Sequence, residues 1–340
     1  MIRLSVGLVA LALSYYPAHA QDDSAHTIAE CDRLAASDLD IQKPALVPGI
    51  PTTAVDAKTA VPACEAALAV APDDRRIMFQ LARAYYLAKN YEKAHSLLVK
   101  ADALGHLLAT NNLAALYADG NGVPADLAEA RRLYEKAAAG GVALAMRNLG
   151  DLYDRGRGVP QDFAQAKICY EKAAALGYPP AMASLGFLYA EGHGVPANFV
   201  EARKWYEKAA AGGDTDAMAN LGPIYENGRG VPVDYAVARD WYQKGAALGN
   251  FRAMNRLGVL FALGKGVLLD YVEARRWFEK AAAGGNPDAM ASLGTIYEEG
   301  LNVPIDRAVA HSWYQKAAAA GSKEGADSLA RLDRSSRPQN

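Results

Sequence analysis

Apolar residues recur along most of this chain at the three-and-four spacing of helices that bury one face. In the stretch ALAMRNLGDLYDRG, Ala145, Leu149 and Tyr153 stand four apart, and Leu152 widens the stripe. Gly150 interrupts that helix at a cost of roughly 1 kcal/mol, which implies close approach of a neighbour, and Gly156 stops it. A second stripe follows in DFAQAKICYEKAAALG, with Ala166, Tyr170, Ala173 and Ala174 at helical spacing and Gly177 as the stop. Asp162 stands where a carboxylate accepts the first free amides of this second helix.

The pair of helices repeats. Gly156-Arg157-Gly158-Val159-Pro160 recurs as Gly120-Asn121-Gly122-Val123-Pro124, Gly192-His193-Gly194-Val195-Pro196 and Gly228-Arg229-Gly230-Val231-Pro232. Degraded copies follow at Gly264-Lys265-Gly266-Val267-Leu268 and Gly300-Leu301-Asn302-Val303-Pro304. Cap positions keep the same register as Asp126, Asp162, Asn198, Asp234, Asp270 and Asp306. A phosphate-binding loop is used once, after a strand, and its Lys-Ser/Thr is missing here, so these glycines read as hinges between helices. Pro223, inside a first helix, removes a hydrogen bond and predicts a kink, through drift or as a functional bend.

These anchors resemble the Sel1-like repeat, a relative of the tetratricopeptide repeat. The Leu-Gly pair stands at Leu149-Gly150, Leu185-Gly186, Leu221-Gly222, Leu257-Gly258 and Leu293-Gly294, and the aromatic at Tyr134, Tyr170, Tyr206, Tyr242, Phe278 and Tyr314. The resemblance implies an all-α fold, a right-handed α/α superhelical solenoid of helix–turn–helix repeats. It also implies a scaffold or adaptor, with no shared catalytic residues and no cofactor. Repeats are expected at 107–142, 143–178, 179–214, 215–250, 251–286 and 287–322. A tetratricopeptide-like unit precedes them at 73–106, and a capping helix and frayed tail follow at 323–340.

The N-terminal part lies outside this periodicity. Arg3, the apolar run Val6 to Leu13 and Ala18-His19-Ala20 make residues 1–20 a secretory signal peptide, cut before Gln21. The run is too short to span a bilayer, so a secreted protein without membrane insertion is expected, periplasmic if the source has two membranes. Segment 21–72 holds Cys31 and Cys64, with a proline-rich stretch between them (Pro44, Pro48, Pro51). An oxidising compartment favours a Cys31–Cys64 disulfide; two buried thiols are the alternative. Cys169 takes the place held by Trp205, Trp241, Trp277 and Trp313 in other repeats, which points to packing rather than nucleophilic chemistry.

Candidate chemistry is sparse. A formal net charge of −2 advertises no face for nucleic acid. His26, His95, His106, His193 and His311 show no metal-ligand spacing, and no metal site is expected. The Ser-x-x-Lys and Lys-Thr-Gly of β-lactamase-like hydrolases are both missing. What remains is a binding surface. In tetratricopeptide-like arrays first helices line the concave side, which places Asn112, Asn148, Asn220 and Arg256 on it, with Arg147 and Asn255 beside them. Asparagine amides donate to and accept from peptide backbone, and arginine grips carboxylates. The expected ligand is a protein or extended peptide, with plain solvated positions as the bland alternative. A second alternative is a cell-wall module that stacks glycans on Trp205, Trp241, Trp277 and Trp313.

Overall fold

Small side chains opposite large rings set the packing, and the computed structural model shows how. It describes residues 18–40, 42–43 and 51–335. Most of the expected signal peptide, Pro44 and Pro48, and the end of the tail lie outside the described residues. Those described form seventeen α-helices, a short 3-10 turn at Thr52–Ala54 and no strand. None of these helices is long and apolar enough to cross a membrane. The chain divides into two units, 1–145 and 146–340.

The first unit contains α1 (Ala18–Ala35), α2 (Ala57–Val70), α3 (Arg75–Leu87), α4 (Tyr91–Ala103), α5 (Leu107–Asp119) and α6 (Leu127–Ala139). Each packs on the next, and α1 also packs on α3. Cys31 and Cys64 form a disulfide that ties α1 to α2, both sulfurs lying in the core with Ile77, Leu81 and Ala84. Asp126 accepts from the amides of Ala128 and Glu129 at 3.0 Å and so starts α6.

The second unit runs α7 (Ala143–Arg155), α8 (Phe163–Ala175), α9 (Pro179–Glu191), α10 (Phe199–Ala211), α11 (Thr215–Glu226) and α12 (Tyr235–Ala247). It continues with α13 (Phe251–Leu263), α14 (Tyr271–Ala283), α15 (Pro287–Glu299), α16 (Arg307–Ala319) and α17 (Lys323–Ser335). Odd-numbered helices are the first helices of hairpins. Consecutive first helices also touch, α9 on α11, α11 on α13 and α13 on α15. The stacked-hairpin, all-α architecture expected from the sequence is present in each unit.

The mid-helix glycines have a physical cause. A Cβ on Gly186 would stand 2.6 Å from Cδ1 of Tyr206, and one on Gly150 2.5 Å from Cε1 of Tyr170. At Gly150, Gly186, Gly222, Gly258 and Gly294 the ring of the second helix lies against the backbone of its first helix, where only hydrogen fits. Tyr206, Tyr242, Phe278 and Tyr314 are all buried. Two of the hydroxyls are paired with carboxylates, Tyr242 donating to Glu226 at 3.0 Å and Tyr314 to Glu298 at 2.7 Å.

The hinges do more than turn the chain. Gly192 and Gly194 have φ of 76° and 68°, the left-handed region, and Asn302 takes 56° where glycine is replaced. The residue between the glycines stacks on the first aromatic of the preceding repeat's second helix. His193 lies 4.4 Å from Phe163, and the Arg229 guanidinium 5.0 Å from the Phe199 ring. Pro223 leaves α11 a single helix of 12 residues, against 13 in α9, ending at Asn227 instead of a left-handed glycine.

Candidate functional site

In the first unit the face of the first helices is already occupied by the chain itself. Arg76, Gln80 and Arg83 are the second, sixth and ninth residues of α3 and form one polar stripe. Arg76 pairs with Asp32, and Gln80 Nε2 donates to Asp32 Oδ1 at 2.8 Å. Arg83 donates to the carbonyl of Ala35 at 2.6 Å and to Thr52 Oγ1 at 3.1 Å. One hairpin on, the Leu107 amide donates to Gln42 Oε1 at 3.0 Å, and His106 Nε2 stands 3.4 Å from Asp40 Oδ2. His106 Nδ1 accepts from the Ala109 amide and so caps α5. Burial disfavours the Asp40 carboxylate, but the His106 ring and the Gln42 amide more than offset this and hold its pKa below the usual value.

In the second unit the equivalent face is open. Its sixth positions are Asn148, Ser184 and Asn220, its ninth Asp151 and Phe187, and its second Pro180, Asp216 and Arg252. A pocket of about 280 Å³ is lined by Arg147, Arg155 and Arg252, by Asp151, Asp154, Asp214 and Asp216, and by Ser184, Phe187 and Asn220. Arg147 pairs with Asp151 at 2.9 Å, whose other oxygen accepts from Tyr170 Oη at 2.7 Å. Arg252 donates to Asn220 Oδ1 at 2.6 Å and stands 3.8 Å from Asp216. Asp154 differs: its Oδ1 is buried without a hydrogen-bond partner. Burial, with Asp151 nearby, pushes the Asp154 pKa up, although His193, Arg155 and Arg147 pull the other way. The Asp214 carboxyl is also pushed up, first by burial.

A larger pocket of about 410 Å³ in the first unit is walled by Leu68, Leu81 and Leu97. Its polar groups already satisfy one another, Lys93 donating to Tyr85 Oη at 3.1 Å and Tyr85 to Glu65. It offers an incoming chain little polar guidance.

The sequence-predicted contact residues do not form one cluster. Asn112 lies in the first unit, half-buried, its Oδ1 accepting from Asn111 at 3.0 Å. Arg147 and Asn220 line the pocket of the second unit. Asn148 is half-buried on the same helix face as Arg147, and Arg256 is exposed. Asn255 requires a correction. It is 8% exposed, at the register of Ala219 and Ala291, which are buried too. In α13 the buried arc reaches this position, whereas Arg147 at the same register of α7 stays half-buried and lines the pocket.

Asp151, Asp154, Phe187 and Arg252 were not singled out from the sequence. One signal could have found them. Positions that pack keep their residue type from repeat to repeat, whereas the ninth position runs Arg83, Ala115, Asp151, Phe187, Pro223, Val259. Change of character at a fixed register marks a surface that packing does not specify.

The tryptophans are half-buried and carry a partner of their own. Lys208, Lys244, Lys280 and Lys316 each hold their ammonium 4.3 Å above the ring of Trp205, Trp241, Trp277 and Trp313. Trp241 also packs on the core of the preceding repeat, beside Tyr206 and Leu221, and Trp277 and Trp313 do the same one and two repeats on.

Comparison with known proteins agrees with this architecture. The family model for the Sel1 repeat matches residues 107–142, 143–178, 179–214, 215–250, 251–286 and 287–322. A Sel1 repeat protein from Oxalobacter formigenes is 37% identical, over 70% of this chain and 98% of that one, with a TM-score of 0.65. The protective antigen c5321 of uropathogenic Escherichia coli strains is 30% identical with a TM-score of 0.58. That match covers 84% of this chain but 62% of the antigen, less than two thirds of its length. Yeast Tom70 shares the fold alone, at 14% identity over 96% of this chain and 76% of that one, with a TM-score of 0.55. No curated protein matches the chain.

Proposed function

The chain belongs to the Sel1-repeat family, and from that premise we propose that its second unit captures an extended segment of a partner protein. Repeats of this kind generally mediate protein–protein interaction. The observation that carries the proposal is the open polar pocket across α7, α9 and α11, at the helix positions that in the first unit already hold the chain's own residues. Ordered donors and acceptors at a repeated spacing suit an extended backbone, whose polar groups also recur regularly.

The role is that of an adaptor, or of a regulator of an envelope signalling or assembly partner, in an exported, periplasmic protein. The pattern of residues 1–20 and the buried disulfide support export. Glycan binding is the weaker reading, because the lysine above each tryptophan competes with a sugar for the ring. Replacing Asn148 and Asn220 together by alanine should lower partner recovery from the source cell's envelope by about tenfold, with helix content unchanged. The wild-type protein recovered there should begin at Gln21. Undiminished recovery contradicts the groove, and retention of residues 1–20 contradicts export by this signal.

A further inference from the structure

We infer that the segment held in this groove presents a basic side chain, lysine or arginine, that sits beside Asp154 and against Phe187. The inference rests on the peptide-binding role proposed above and specifies its chemistry. In the first unit the stripe of α3 is cationic, and it is matched by acidic and carbonyl groups. Arg76 meets Asp32, and Arg83 meets the Ala35 carbonyl. In the second unit the position of Arg83 is taken by Asp151 and Phe187, and that of Arg76 by Pro180, Asp216 and Arg252.

The pocket holds three arginines, Arg147, Arg155 and Arg252, and one buried carboxylate oxygen without a hydrogen-bond partner. Arg147 is engaged by Asp151, and Arg252 by Asn220 and Asp216. The Asp154 carboxyl lines the pocket with Oδ1 buried and unpartnered. An unsatisfied buried acceptor is destabilising, and an incoming ammonium or guanidinium would relieve it. An acidic side chain would instead meet Asp151, Asp154, Asp214 and Asp216 together. Phe187 lines the same pocket and is 42% exposed, with the His193 ring edge-on at 5.6 Å. Its ring offers the aliphatic stem of lysine or arginine an apolar bed and the cation a π face. The chain already uses that pairing four times, at each Lys–Trp contact.

The test uses the full chain and degenerate short peptide pools whose central residue is fixed as lysine, arginine, glutamate or leucine, with the bound position mapped by crosslinking. Pools centred on lysine or arginine should bind about tenfold more tightly than those centred on leucine, and the glutamate pool least. Asp154→Asn should abolish the preference while neutral peptides still bind. Phe187→Ser, a change at an exposed position, should weaken the basic pools several-fold and serves if the first variant folds poorly. Binding in the groove without preference for a basic centre, or a preference that survives in both variants, overturns the inference and leaves the groove standing. Peptides that bind elsewhere on the chain, or not at all, overturn both.

Discussion

Replacing Tyr206 by alanine is expected to destabilise the second unit by about 3–5 kcal/mol, as removal of large buried rings does. The ring is 3% exposed and sits with Leu221 and with Ala202, Ala209 and Ala217, three small neighbours that cannot close the void. It also lies over Gly186, where a Cβ would approach Cδ1 to 2.6 Å and Cγ to 3.0 Å. Contact so near the root of the ring means that rotation about its own axis gives no relief. Gly186→Ala alone should therefore destabilise, overpacking of this kind costing about 1–3 kcal/mol. With Tyr206 already truncated, the same glycine-to-alanine change should stabilise, because space exists and alanine favours helix by about 1 kcal/mol. Denaturant unfolding of the two single variants and the double variant measures this change of sign. Additive effects would mean that glycine and ring do not share one contact.

Removing the disulfide is expected to lower stability by about 3.5–4 kcal/mol, the chain-entropy value for a loop of this span. Cys31 and Cys64 are separated by 33 residues, and both are fully buried. The bond holds α1 against α2, while the stripe Arg76, Gln80 and Arg83 holds α1 and the following segment against α3. Loss of the bond frees a long loop in the unfolded chain, and then small-residue packing and polar contacts, each of the latter worth about 0.5–1.5 kcal/mol net, keep that segment in place. Paired Cys31→Ser and Cys64→Ser substitutions, with hydrogen exchange as the probe, should show loss of protection concentrated in α1 and α2. Unchanged exchange in these helices would show that packing alone suffices.

How much of this was legible beforehand depends on the range over which each cause acts. The helix pairs, their caps and their hinges follow from local pattern, and they were legible. Asp162 accepts from Ala164 and Gln165 at 3.0 Å because a carboxylate before a helix has little else to do. The disulfide was legible from compartment and pairing. Gly150 signalled close packing, though not that the neighbour was the Tyr170 ring.

What the sequence hid depends on distant partners. The pairing of His106 with Asp40 and the grip of Arg83 on Ala35 join residues far apart in the chain, and no periodicity reports them. The spacing of Arg76, Gln80 and Arg83, one polar stripe on a helix whose residues are otherwise mostly buried, was the available hint. For the candidate site, helix register alone located Arg147 and Asn220. The same register misplaced Asn255, since burial there depends on how closely neighbouring first helices approach. Asp154 escaped notice because an acidic residue near a helix end is usually solvated; only the fold reveals an oxygen without a partner.

Photo-crosslinking in the source cells tests the central claim most directly, with a benzophenone side chain introduced at Ser184 in the groove or at Lys204, exposed on α10 of the same repeat. A discrete partner protein joined at Ser184 and not at Lys204 is the predicted result. The same partner joined at both sites, or at Lys204 alone, would contradict it.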